Sequence, residues 1–263
     1  MTAAITERWS ATASLPYLSA SWSLPQPISP PGPRRKQETS GIGDLVIGPR
    51  FWVFDPRENP DGNLQVGLGL KCPTGDEAVE ERYPDITGAN FAMKPADVSI
   101  QPGDGGWGSV LDLQAFRDLG PVRLFAGGTY LVNPRETNRT ESIVTGLVGS
   151  AATADHLRYN SVPDQFLVMA GGSVALGDRL SAGLALRWEG VPPRDLVGGN
   201  DGFRRPGYVV ALAPGLSWSG DGWSAGLSVP WNFLKNRLDN AQGEPGDATF
   251  ADWSLILSVT VDF

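Results

Sequence analysis

Six residues able to carry charge or hydrogen bonds, Arg50, Lys71, Asp112, Gln114, Arg187 and Glu189, sit in a common setting. Each falls on the small, polar side of a stretch whose other side is Leu, Val, Ile or Trp, as in Leu64-Gln65-Val66-Gly67-Leu68-Gly69-Leu70-Lys71. In a strand, alternate residues point to opposite faces, so these six share a face that is polar but otherwise small. Charges of both signs inside an apolar-walled tube have two uses. They pair across the interior and plug it, as side chains do in small barrels, or they ring a narrow pore and tune what passes.

The remaining reactive residue types point away from catalysis and metals. His156 is the sole histidine and stands in loop-like sequence, A-T-A-D-H-L-R-Y-N, with no serine placed to form a nucleophile and base pair. One His and one Cys exclude the usual transition-metal clusters, and Cys72 has no partner for an internal disulfide. The acidic run Asp76, Glu77, Glu80, Glu81 and Asp85 lacks the spacing of a calcium loop and reads as solvated. Arg34-Arg35-Lys36 suits lipopolysaccharide phosphates or plain solvent. A net charge of -8 excludes a nucleic-acid footprint. No cofactor is expected.

The elements that carry these residues repeat one pattern. Period-two alternation predicts ten strands, at 9–17, 44–54, 64–71, 107–115, 122–130, 165–176, 180–189, 208–218, 223–231 and 253–263, with a strand stub at 2–4. Between them lie long connections at 24–41, 73–106, 133–164, 190–207 and 232–252, read as irregular loops, and short turns rich in Gly, Asp, Asn and Pro. Long and short connections alternate strictly, so all long ones fall on one side of the sheet. We therefore read 1–263 as one all-β domain.

Which face meets which solvent is decided by composition. The non-apolar face holds Ser, Gly, Thr and Ala where a water-facing surface would carry Lys and Glu. Trp188, Tyr208, Trp218, Trp223, Trp231, Trp253 and Phe263 stand at strand ends, as membrane-interface aromatics do. No run of about 18 apolar residues exists, which excludes a spanning helix and leaves a spanning barrel open. The expectation is an antiparallel transmembrane β-barrel with the apolar row toward lipid. In its last strand Trp253, Leu255, Leu257, Val259, Val261 and Phe263 form one apolar row with only Ile256 out of phase. Such a strand resembles the signal that the bacterial barrel-assembly machinery reads. A soluble secreted β protein is the competing expectation.

Four phrases go further: L-P-Y-L-S-A-S from Leu15, G-I-G-D-L from Gly41, G-L-G-L-K-C-P-T-G-D from Gly67 and I-Q-P-G-D-G-G-W-G from Ile100. Together they resemble the outer-membrane family labelled "MetA-pathway of phenol degradation", which is described as transporter-like. The resemblance implies a bacterial outer-membrane location, lipid and lipopolysaccharide as surroundings, and passage of small solutes, aromatic or hydrophobic ones among them. Members carry a signal peptide and further amino-terminal strand sequence. Residues 1–9 show no basic and apolar leader, so the resemblance implies a parent of about twelve strands with one more hairpin. The alternative function is a non-conducting barrel that acts through its long loops as an adhesion, structural or partner-binding scaffold.

Overall fold

The structure is a computed structural model that describes residues 1–26, 31–84, 87, 90–145 and 155–262. In chain order the strands are β1 (Thr2–Ala4), β2 (Trp9–Ser14), β3 (Tyr17–Pro25), β4 (Arg34–Ile42), β5 (Leu45–Trp52), β6 (Gly62–Cys72), β7 (Glu80–Pro84), β8 (Phe91–Pro95) and β9 (Gly108–Leu119). They continue with β10 (Val122–Val132), β11 (Thr137–Glu141), β12 (Tyr159–Ser161), β13 (Gln165–Ala175), β14 (Leu180–Val191), β15 (Gly207–Gly220), β16 (Trp223–Ser228), β17 (Trp231–Arg237) and β18 (Ile256–Val261). Helix among the described residues is confined to 3-10 turns, at Val98–Ile100 and Asp155–Leu157.

Twelve strands form one antiparallel sheet, ordered β1-β2-β5-β6-β9-β10-β13-β14-β15-β16-β18, with β17 also on β15. Because β16 and β17 pair with the two halves of β15, they are one stave interrupted at Val229-Pro230. Proline has no amide proton for the ladder, which accounts for the break. The count is thus eleven staves where the alternation predicted ten, the stub at 2–4 being a paired strand. Short turns close each hairpin at one end of the staves. In the β15–β16 turn Gly222 takes φ 72°, a conformation that side chains with a Cβ disfavour.

Burial along the staves is inverted relative to a water-soluble sheet. On β6 the apolar Leu68 is 62% exposed, while Gln65 on the opposite face is 8% and Lys71 3% exposed. The same side shows Leu113, Leu124, Leu184, Leu186, Leu216 and Val259 exposed, all in the predicted apolar row, and Val168 with them. The aromatics Trp188, Trp218, Trp223, Trp231 and Trp253 are exposed on this side too. Phe166 meets Trp188 at 4.9 Å between ring centroids, and Trp188 meets Tyr208 at 6.1 Å. Phe263 lies outside the described residues.

The polar face is concave. One hollow of about 420 Å³ is lined by Thr12 and Ser14 of β2 together with Glu189 of β14, six staves away in the sheet order. On a flat sheet six steps of about 4.8 Å would hold those residues about 29 Å apart. A second hollow joins Phe125 of β10 to Ser258 of β18. The sheet therefore curls around its polar side. It is not closed, since β1 and β18 are its two free edges.

Three expectations need correction. Three of the long connections hold hairpins instead of irregular chain, β3 pairing β4, β7 pairing β8 and β11 pairing β12, and the last one opens on strand β17 at 231–237, whereas 192–206 holds no strand, as expected. β4 carries Arg, Lys, Gln and Glu on both faces and shows no apolar alternation, whereas β3 alternates Leu18, Ala20, Trp22 and Leu24 with Ser19, Ser21 and Ser23. The last strand starts at Ile256, with Trp253 joined only by a bridge to Trp231. Ile256 pairs with Ser228 and so takes a place on the concave face.

Candidate functional site on the concave face

Register places the predicted polar residues in rows that run across the staves. One row reads Ser10, Arg50, Gly67, Asp112, Thr129, Leu167, Glu189, Val209 and Lys235. The next, toward the short turns, reads Trp52, Gln65, Gln114, Gly127, Met169, Arg187 and Ala211. Arg50, Asp112, Gln114, Arg187 and Glu189 therefore lie within two adjacent rows. The rows are invisible to alternation alone, because they depend on the pairing register of each neighbouring strand.

Asp112 is the hub of one wall. It accepts hydrogen bonds from Thr129 Oγ1 at 2.8 Å and Gln114 Nε2 at 3.0 Å, and lies 3.5 Å from Arg50 Nη2. Arg50 and Asp112 stand on strands separated by β6, and Gly67 is the residue between them. A Cβ at Gly67 would come within 3.2 Å of both side chains, so the missing side chain is what lets the pair form over the strand. On β14, Arg187 donates from Nη2 to Glu189, two residues on and on the same face. Its Nε is buried and has no hydrogen-bond partner. The hollow of about 420 Å³ is bounded by Arg50 and Asp112 on one side and Glu189 on the other.

Lys71 has a different place. At the end of β6 nearest the long connections, its buried ammonium pairs with Asp104 and lies 3.7 Å from Asp44. Burial pushes the Asp104 carboxyl up, and the Lys71 charge opposes that shift. Asp44 also accepts from the Gly75 and Asp104 amides, so Lys71 fastens the second long connection to the wall.

The concave face also bears apolar side chains that the polar-row reading passed over. Trp52, Phe116, Phe125, Leu167 and Met169 point inward and are only half-buried, around a hollow of about 380 Å³. Trp52 meets Phe116 edge-on at 6.1 Å, and the Arg123 guanidinium lies 4.9 Å over the Phe116 ring. Parity along the strands was the available signal, since Trp52 shares the phase of Arg50 and Phe116 that of Gln114.

The long connections form a cap held by several buried ion pairs and hydrogen bonds. Arg204 and Asp195 make a two-point ion pair at 2.7 and 2.9 Å with both side chains essentially inaccessible. Arg205 pairs with buried Asp97 and reaches Asp247 at 3.1 Å, joining three connections. Asp164 accepts from the Asn133 and Leu196 amides and from Tyr130 Oη. His156 Nε2 lies 3.1 Å from Glu244. Among the described residues no group of His, Cys, Asp and Glu has the arrangement of a metal site. Arg34, Arg35 and Lys36 are exposed on β4, where Arg34 bonds Ser23 and Lys36 pairs with Glu38.

No protein-family model matches the chain, and no curated protein matches it. What the site can do is thus argued from its geometry.

Proposed function

We propose that the chain is the wall and cap of a bacterial outer-membrane β-barrel whose concave face is a narrow route for small solutes. The observation that carries this reading is the inverted burial: a row of exposed Leu, Val and Trp outside, and Ser, Gly, Thr and paired charges inside. Lipid is the solvent that makes such an arrangement stable, because each exposed apolar side chain would otherwise face water. On β14, Leu180, which pairs with Trp218, and Trp188 are eight residues apart. That is about 26 Å along the strand, and a tilt of about 40° leaves about 20 Å of apolar band, at the short end for a barrel of this kind. No helix of the described chain is long and apolar enough to cross a membrane.

Free strand edges leave backbone groups unpaired, which hydrocarbon does not tolerate, so the reading requires closure. Eleven antiparallel staves put the first and last in the same direction, so β1 and β18 cannot pair with each other antiparallel. Lipopolysaccharide around the rim, the barrel-assembly machinery at β18 and a small-molecule solute inside are the partners this reading implies. No step of it calls for catalysis or a cofactor.

Purified protein in planar bilayers tests the reading. Discrete conductance is expected, with Arg50→Ala or Arg187→Ala changing its size or ion preference. Silent bilayers from folded protein would overturn it in favour of a non-conducting scaffold. That second reading has its own support in the ordered cap, whose ion pairs fix a defined outer surface. Extraction into an aqueous phase without detergent would defeat both.

A further inference from the structure

We infer that the hollow between Arg50 and Glu189 binds a small zwitterion whose carboxylate and ammonium lie several bonds apart, an ω-amino acid, with the carboxylate on Arg50 and the ammonium on Glu189. The inference rests on the concave face being a solute route and names the class of solute.

Unspent hydrogen-bonding capacity supplies the first argument. Both side chains line the hollow of about 420 Å³, and they are 30% and 36% exposed. Among the described residues Arg50 makes no hydrogen bond, and its contact with Asp112 is an ion pair at 3.5 Å. Asp112 takes its hydrogen bonds from Thr129 and Gln114 instead. The guanidinium thus keeps donors for a carboxylate, whose two oxygens match its planar fork. Glu189 accepts from Arg187 through Oε2, and its Oε1 has no partner among the described residues. That oxygen is an acceptor left over for an ammonium.

Spacing supplies the second. In the row across the staves, Gly67, Asp112, Thr129 and Leu167 stand between Arg50 and Glu189. Five steps of about 4.8 Å make about 24 Å along the wall, which the curl and the inward reach of both side chains reduce to the span of one hollow. Adjacent charges, as on an α-amino acid, reach one end of it only. Val46, Val110, Leu131 and Leu167 also line the hollow and give a methylene chain an aliphatic surface to cover.

Charge sets the rest of the ligand. Arg50 with Asp112 and Arg187 with Glu189 sum to zero. An anion on Arg50 leaves the Glu189 end without a partner, and a cation on Glu189 leaves Arg50 without one. A zwitterion of the right length meets both, and specificity is that difference in affinity.

The test is equilibrium dialysis of the full chain in lipid nanodiscs at about 50 mM salt, where exposed charges are screened less than at physiological ionic strength, with empty nanodiscs as background. The probes are 5-aminopentanoate, its isomer valine, pentanoate and pentylamine. The first should bind about tenfold more tightly than each of the others. Arg50→Gln should abolish its lead over pentylamine and keep its lead over pentanoate, and Glu189→Gln should do the opposite. Leu124→Ala on the outer face should change neither. Should a variant not fold, the order of the four probes on the native chain decides alone. Valine binding as well as 5-aminopentanoate, or leads that survive both glutamine substitutions, overturns the inference. A folded protein that is silent in bilayers but keeps the order would sink the route and leave the zwitterion site standing. Conductance without the order would do the reverse.

Discussion

The wall and the cap of this molecule obey opposite rules of burial. In the cap, Leu24, Ile100, Leu157, Val162 and Phe203 are buried as they would be in a protein surrounded by water. In the wall, Leu68, Leu184, Leu186, Leu216 and Val259 are exposed, and the buried side chains are Ala185, Val209, Ala211, Ala213, Asn63, Gln65 and Lys71. The pattern of burial thus changes within one chain, at the ends of the staves. The cap has few apolar residues with which to build a core, and charged hydrogen bonds hold it together. The wall needs no apolar core of its own if lipid covers it.

The contrast is broken most severely by attacking the cap at its driest ion pair. Asp195→Ala would leave the Arg204 guanidinium inaccessible and unpaired, and such a loss costs about 3–5 kcal/mol. Hydrogen exchange should show amides of 195–206 and 133–142 losing protection while β9, β10, β13 and β14 keep theirs. Loss of protection throughout the staves would show that cap and wall are not separate in stability.

The wall is tested by a charge on each face of one strand. Leu184→Arg, outward on β14, should destabilise the protein in lipid by about 2–4 kcal/mol if it lies near the middle of the bilayer. Gly183→Arg would strain packing against Ser173, so Ser181→Arg is the better inward partner, and its effect should be under about 1 kcal/mol. Urea unfolding from liposomes reads both. If Leu184→Arg proves harmless, the outer face is not in hydrocarbon.

How much of this was legible in the residues follows the same division. The staves were readable because one period-two pattern recurs along the chain and each copy supports the others. The first cap hairpin was only half legible, since β4 with Arg34, Arg35, Lys36, Gln37 and Glu38 shows no apolar phase at all, while its partner β3 alternates Leu18, Ala20, Trp22 and Leu24 with serines. The break at Pro230 was hidden by Val229 and Trp231, which stay in phase on either side of it. In the site, the charged residues were legible from parity. The Arg50 to Asp112 contact was not, because it depends on Gly67 lying between them, a fact of register and not of either residue's own strand.

The smallest expected effect lies where two connections of the cap meet, at His156 and Glu244. Burial alone would raise the Glu244 carboxyl, but the hydrogen bonds from His156 and Asn240 outweigh it and hold Glu244 below its ordinary value. A carboxyl with a depressed folded-state value stabilises the fold above its unfolded value, about 4.3, and that contribution fades as pH falls through the folded one. The tie between 155–157 and 240–244 should therefore be intact at pH 7 and loosen in acid below the usual carboxylate range. Pepsin cleavage within 238–247, compared between pH 4.5 and pH 3 as about 1.5 units of acidification, should rise for the native chain. Glu244→Gln cannot make the charged contact at either pH, so its cleavage there should vary much less. If the two chains respond alike, the acid sensitivity belongs to other carboxylates of the cap, and the His156 contact is a packing detail of a surface held by its buried ion pairs.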